Sequence, residues 1–113
     1  AGNFYPDYIL WIDTAEKQYI SFIDPKGLMR IMPENPKIQF HKTIKELETK
    51  LQKDGDKPMI LNSFIMSATT NADMDLWWGN TNYSTAAARE MINVYSLNDK
   101  QSVARMMEKI LAE

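Results

Sequence analysis

Two apolar runs lie near the front of the chain, Tyr8–Ile12 and Gln18–Asp24, separated by the polar stretch Asp13–Lys17. Both are rich in β-branched and aromatic residues, the composition of strands. A connection this short leads to an antiparallel hairpin, because a parallel pair needs a crossover of a dozen or more residues. Both faces of each run are apolar along most of their length. The hairpin is therefore expected to lie within a larger sheet, not on a surface.

A turn centred between Ala15 and Glu16 sets the register. Trp11 then faces Ile20, Ile9 faces Phe22, and Asp7 faces Asp24. Alternation along each strand puts Asp24 and Lys26 on the face that carries Ile20 and Phe22. The apolar pairs thus run into a pair of carboxylates. Opposed like charges on adjacent strands cost about 0.2–1 kcal/mol when exposed, and more when buried. Lys26 supplies part of the counter-charge. A hard divalent cation would supply the rest, since Mg²⁺ takes one or two carboxylates, carbonyl oxygens and water. Asp7, Asp24 and the backbone carbonyl of Pro25 form such a set. Taken singly, Asp7 reads as a strand-starting residue after proline, Asp24 as a turn former before Pro25, and Lys26 as a solvated loop lysine. The shared register is what sets the three apart.

The remaining sequence completes a mixed α/β pattern. The proline-rich stretch 25–36 reads as loop. A helix follows, with Asn35 as N-cap, Pro36 in the first turn and Gly55 as its end; a later start at Thr43, with Glu46 closing a capping box, is the rival reading. Ile38, Ile44, Leu47 and Leu51 mark its inner face. Residues 58–68 form a nearly continuous apolar run, the pattern of a buried strand. Residues 69–84 are polar enough to read as a long loop. A short helix over 85–92, a short strand over 93–97 and a closing amphipathic helix complete the order. That last helix is expected to turn Val103, Met106, Met107, Ile110 and Leu111 inward, with Asn98 or Asp99 as cap.

At 113 residues the chain suits one domain. No apolar run reaches the ~18 residues of a membrane span. No cysteine is present, which excludes disulfides and thiolate metal sites, and no leader pattern stands at the front. A cytoplasmic location is expected. The net charge of −2 gives no bulk attraction to nucleic acid, so DNA binding would rest on a local basic surface.

Pro6-Asp7 followed by Asp24-Pro25-Lys26 matches the motif of the PD-(D/E)XK nuclease superfamily and resembles it residue for residue. With "KIQFHKTIKELE", "ILNSFIMSATT" and "LWWG", the chain resembles the C-terminal endonuclease domain of type III restriction-type (Res) subunits. In those proteins a DEAD/DEAH-type helicase motor precedes the nuclease. The resemblance runs from Phe4 to about Leu97. It implies a restriction-endonuclease-like α/β core, with a mixed central sheet that starts with an antiparallel hairpin and is flanked by helices. Residues 1–113 would form one such domain of a larger helicase-nuclease. Asp7 and Asp24 would hold Mg²⁺ (or Mn²⁺), and Lys26 would orient the attacking water. ATP would enter only through the upstream helicase. The partners implied are double-stranded DNA, the helicase domain in cis and a modification methyltransferase subunit, with no membrane. Many members add an acidic residue from a helix before the first motif strand; no such helix precedes Tyr8 here, so the expectation is either that this ligand lies upstream or that the site lacks it, in which case the isolated domain would be inactive.

The other candidates are weaker. Asn62 and Ser63, polar within an apolar strand, are expected to hydrogen-bond the back of the site. Lys42 and Lys45 are the lysines most suited to DNA contact. His41 reads as a half-buried structural histidine, Trp77-Trp78 as cover for the sheet or core, and the eight methionines as packing. The alternative from another class is a catalytically silent DNA-binding or docking module coupled to the helicase.

Overall fold

A computed structural model describes residues 7–28, 31–52, 55 and 57–113. Its elements run β1 (Tyr8–Asp13), β2 (Gln18–Lys26), α1 (Pro36–Leu51), β3 (Met59–Ser67), α2 (Asn71–Trp77), α3 (Ala86–Met91), β4 (Val94–Ser96) and α4 (Ser102–Leu111). The strands form one mixed sheet in the order β1-β2-β3-β4. β1 and β2 are antiparallel, and β2, β3 and β4 are parallel.

The hairpin adopts the expected register. Trp11 pairs with Ile20, Ile9 with Phe22, and the last pair is Tyr8 with Ile23. Thr14 closes the turn: its Oγ1 accepts from the N–H of Lys17 at 2.9 Å and of Glu16 at 3.3 Å, and donates to the Lys17 carbonyl. A hydroxyl that satisfies several turn groups at once fixes the strand offset.

The expectation of a hairpin buried on both faces is corrected. β1 is an edge strand. Leu10 and Ile12 pack inward beneath α4, but Ile9 and Trp11 on the other face stay 60% and 62% exposed. The reason is that α1 packs on β3 and leaves β1 uncovered.

α1 begins where the Asn35–Pro36 reading put it. Asn35 Oδ1 accepts from the Lys37 N–H at 2.9 Å, so the helix is already formed at Thr43. It ends at Leu51 with Gln52 as cap; Gly55, at φ +84°, serves the turn beyond. Its inner face is narrower than expected, with Ile38 and Ile44 buried but Leu47 and Leu51 exposed. The next turns of α1 serve the open edge of β3 through polar side chains. Glu48 Oε2 accepts from the Leu61 N–H at 2.7 Å and Gln52 Oε1 from the Met59 N–H at 3.1 Å. Asn93, the one described non-glycine residue at positive φ (62°), continues this edge. Its amide donates to the Ser63 carbonyl and its own carbonyl accepts from the Ile65 N–H. Asparagine tolerates the left-handed region better than most residues.

Residues 69–84 are also corrected. They contain α2, capped by Thr70, whose Oγ1 accepts from the Asp73 N–H. Met74 and Trp78, one turn apart, bury themselves while polar neighbours face out. Composition masked this periodic pair. In α4, Met106 and Ile110 are buried and Met107 half-buried, but Val103 and Leu111 are exposed. Asp99 does not cap α4 directly; its carboxylate accepts from the Gln101 N–H in the turn before it.

Two apolar layers result. On one face Tyr19, Phe64, Met66 and Tyr95 pack under Met106 and Ile110, with Phe64 and Tyr95 edge-to-face at 5.9 Å. On the other, Leu28, Ile38, Ile65, Met74, Trp78, Ile92 and Val94 form the core. Among the described residues no helix is long and apolar enough to cross a membrane.

His41 is held by this packing. Its Nδ1–H donates to the Ile38 carbonyl at 2.8 Å. Burial pushes its imidazole below the usual 6.5, and the charges of Lys42 and Lys109 add to this against the Ile38 bond. A depressed folded-state value means the unfolded chain takes up the proton more readily. The stability is complete above pH 6.5 and falls as pH drops below it. We expect wild type to lose more melting temperature between pH 7.5 and 5.5 than His41→Asn does; equal losses would contradict this.

Candidate active site at the end of the hairpin

The site forms where β1 ends and β2 continues. The Gln18 N–H donates to the Pro58 carbonyl, and the Lys26 carbonyl accepts from the Ala68 N–H. Even-numbered residues of β2 therefore turn their backbone groups toward β3, and odd-numbered ones toward β1. Pro25 is odd-numbered and lies beyond the last β1 pair, Tyr8 with Ile23. A proline there breaks no ladder hydrogen bond. The same geometry leaves its carbonyl on the side where β1 has ended, which is the side of Asp7.

Asp24 and Lys26 project from the face that carries Ile65, the neighbour of Asp24 on β3. Asp24 is buried, at 6% exposure. Lys26 Nζ lies 3.1 Å from its Oδ2. A buried carboxylate needs such a partner, because an unpaired charge out of water is costly. Asp7 occupies an exposed bend one residue before β1, the next step in a register that leads to Asp24. Its charge acts on Lys26.

A further residue joins them. Lys37, in the first turn of α1, interacts electrostatically with Lys26. The interaction with Lys37, followed by the Asp24 carboxylate and the charge of Asp7, holds the Lys26 ammonium above the ordinary lysine value despite partial burial. The same interaction and the Lys26 charge lower Lys37. Lys37 was only one of several lysines in the sequence pattern. Its signal was its place just after the Asn35 cap, on the return from Lys26.

The other candidates separate. Ser63 shares the sheet face of Asp24, and its carbonyl is held by Asn93. Asn62 pairs with Ser21 in the register and so lies on the opposite face, under α4; there it does not back the carboxylates. Lys42 is exposed. Lys45 is engaged by Glu48 at 3.0 Å and Glu113 at 2.6 Å. Trp78 is fully buried, with its indole N–H on the Ile31 carbonyl at 2.8 Å. Trp77 is partly exposed beside it.

Among the described residues no three His, Cys, Asp or Glu side chains converge. A cation here would rest on Asp7, Asp24, the Pro25 carbonyl and water. That donor set is all oxygen and low in protein ligands, which suits Mg²⁺ or Mn²⁺. Comparison of the chain with protein-family models, curated proteins and solved structures gave no significant match.

Proposed function

We propose that the protein is a metal-dependent DNA endonuclease of the PD-(D/E)XK type that hydrolyses phosphodiester bonds. The observation that carries this reading is the hairpin register. It ends one step short of Asp7 and leaves the buried Asp24, paired with the partly exposed Lys26, across from it. An antiparallel pair followed by a parallel strand, reached through a helix, also fits the core order that this superfamily implies.

In this reading Asp7, Asp24 and the Pro25 carbonyl hold Mg²⁺. Bound there, the ion would lower the pKa of bound water and offset charge developing on the phosphate. Asp24 keeps Lys26 charged and fixed in place. Lys26 orients the attacking water and meets the negative charge of the phosphate oxygens. The water oxygen bonds to phosphorus as the bond to the leaving oxygen breaks; the water gives up one proton to solvent and the leaving oxygen takes one up, so the protons balance. Double-stranded DNA is the substrate class, and a helicase motor in cis with a methyltransferase subunit are the partners of this reading.

The test is cleavage of supercoiled DNA in Mg²⁺ by the wild type and by Asp7→Ala and Lys26→Ala. Loss of cleavage in both variants, with melting intact, is the expected result. Retained cleavage would contradict the assignment. One observation favours a silent DNA-binding module instead: Lys26 already neutralises Asp24, and among the described residues no third carboxylate joins Asp7 and Asp24. That reading predicts DNA binding that does not depend on metal.

A further inference from the structure

Lys26 is the last residue of β2, and Gly27 follows it directly. A Cβ at Gly27 would meet nothing within 4 Å, so no close approach accounts for the glycine. What it brings is backbone freedom, at the joint next to the lysine of the site. The lysine is nevertheless held. Its side chain is 20% exposed, and its Nζ lies 3.1 Å from Asp24 Oδ2.

The turn after β3 supplies the restraint. The Ala68 N–H donates to the Lys26 carbonyl at 2.8 Å. Thr69 Oγ1 accepts from the Leu28 N–H at 3.0 Å. These two bonds pin the chain on both sides of Gly27. Thr69 is fixed in turn by its neighbours. Its N–H donates to Ser67 Oγ at 3.0 Å, and its carbonyl accepts from Ser67 Oγ at 3.1 Å and from Ser96 Oγ at 3.4 Å. Those bonds use the Thr69 backbone and leave its hydroxyl to the Leu28 N–H. Thr69 and Leu28 are both buried, where a backbone N–H left without an acceptor is costly. The hydroxyl is thus the removable half of the pin.

We propose that Thr69 is a positioning residue for Lys26: its hydroxyl, beside the Ala68 N–H, fixes the Lys26–Leu28 segment so that the ammonium stays on Asp24. This rests on the nuclease reading for the reaction that Lys26 serves. The pin requires an acceptor oxygen on the Cβ of residue 69. Serine keeps that oxygen, and valine keeps the shape without it.

Two measurements test it. The first is brief acylation of lysine amines in the metal-free protein, read residue by residue by mass spectrometry. Thr69→Val should raise the rate at Lys26 several-fold, as local release of a pinned segment requires, and Thr69→Ser should stay near the wild type. Lys109 is the control, since its Nζ is held by the Glu90 carbonyl at 2.8 Å and Asn93 Oδ1 at 2.6 Å; its rate should not change. The second is cleavage of DNA in Mg²⁺. Thr69→Val should lower kcat by roughly 10- to 100-fold with KM unchanged, the scale of a slightly misplaced group, and Thr69→Ser should restore it. An unchanged rate at Lys26 in Thr69→Val would overturn the proposal. An equal rise at Lys109, the mark of a fold loosened throughout, would do the same, as would wild-type kcat in Thr69→Val or an equal loss in Thr69→Ser. A wild type that does not cleave would remove the nuclease reading, while the acylation rates would still decide whether Thr69 holds Lys26.

Discussion

Asp24→Asn should lower the rate of metal-dependent DNA cleavage by at least about 10³-fold, on the scale of losing a central stabilising group in an active site. The substitution keeps the volume of a side chain that is 6% exposed. On the proposed reading it removes a cation ligand together with the partner of Lys26. The free protein should nevertheless fold. The ion pair at 3.1 Å is lost, but repulsion from Asp7 is relieved as well, and Lys26 is open enough to reach solvent. These effects oppose each other, so melting without metal should shift by only a few degrees. Collapse of the fold would instead mark Asp24 as a structural residue. Wild-type cleavage in Asp24→Asn would remove it from the site. A single-turnover assay beside a thermal melt separates the outcomes.

Trp78→Ala should produce the largest loss of stability. Trp78 is fully buried among Leu28, Ile38, Ile65, Met74, Ile92 and Val94. Truncating such a side chain costs about 3–5 kcal/mol, through lost transfer energy and the cavity left behind. The Ile31 carbonyl also loses its indole donor. Domains of this size are stable by about 5–15 kcal/mol, so a loss of this size would unfold a measurable fraction at physiological temperature. Trp77→Ala, on the exposed neighbour, should stay within about 0.5 kcal/mol. Denaturant titration of both variants checks the contrast. Similar midpoints would mean that Trp78 is not the centre of this core layer. The prediction bears on the site because the same layer holds Leu28, on the loop that leads from Lys26 toward Lys37.

Local chemistry made much of this legible. The pairing of Trp11 with Ile20 and Ile9 with Phe22 followed from a short polar turn. The start of α1 followed from Asn35 and Pro36, and the buried β3 from an apolar run. What escaped depended on tertiary neighbours. Ile9 and Trp11 look like core residues in sequence, and only the strand order shows that β1 is an edge. α2 was hidden because two apolar residues one turn apart, Met74 and Trp78, carry its packing within a polar stretch. Asn62 looked like support for the carboxylates until the β2–β3 register put it on the other face. Lys37, Lys42 and Lys45 look alike in sequence, and only knowledge of the tertiary structure separates them. In Lys45 that same knowledge reveals a lysine already held by Glu48 and Glu113.

The central claim is that the end of the hairpin holds a divalent cation between Asp7 and Asp24. Thermal melting during Mn²⁺ titration tests it most directly, since a ligand that binds only the folded state stabilises it by about 2.7 kcal/mol at one hundred times its dissociation constant. The account predicts a saturable rise in melting temperature for the wild type that disappears in Asp7→Asn and in Asp24→Asn. A wild type that does not respond, or variants that respond as the wild type does, would contradict it.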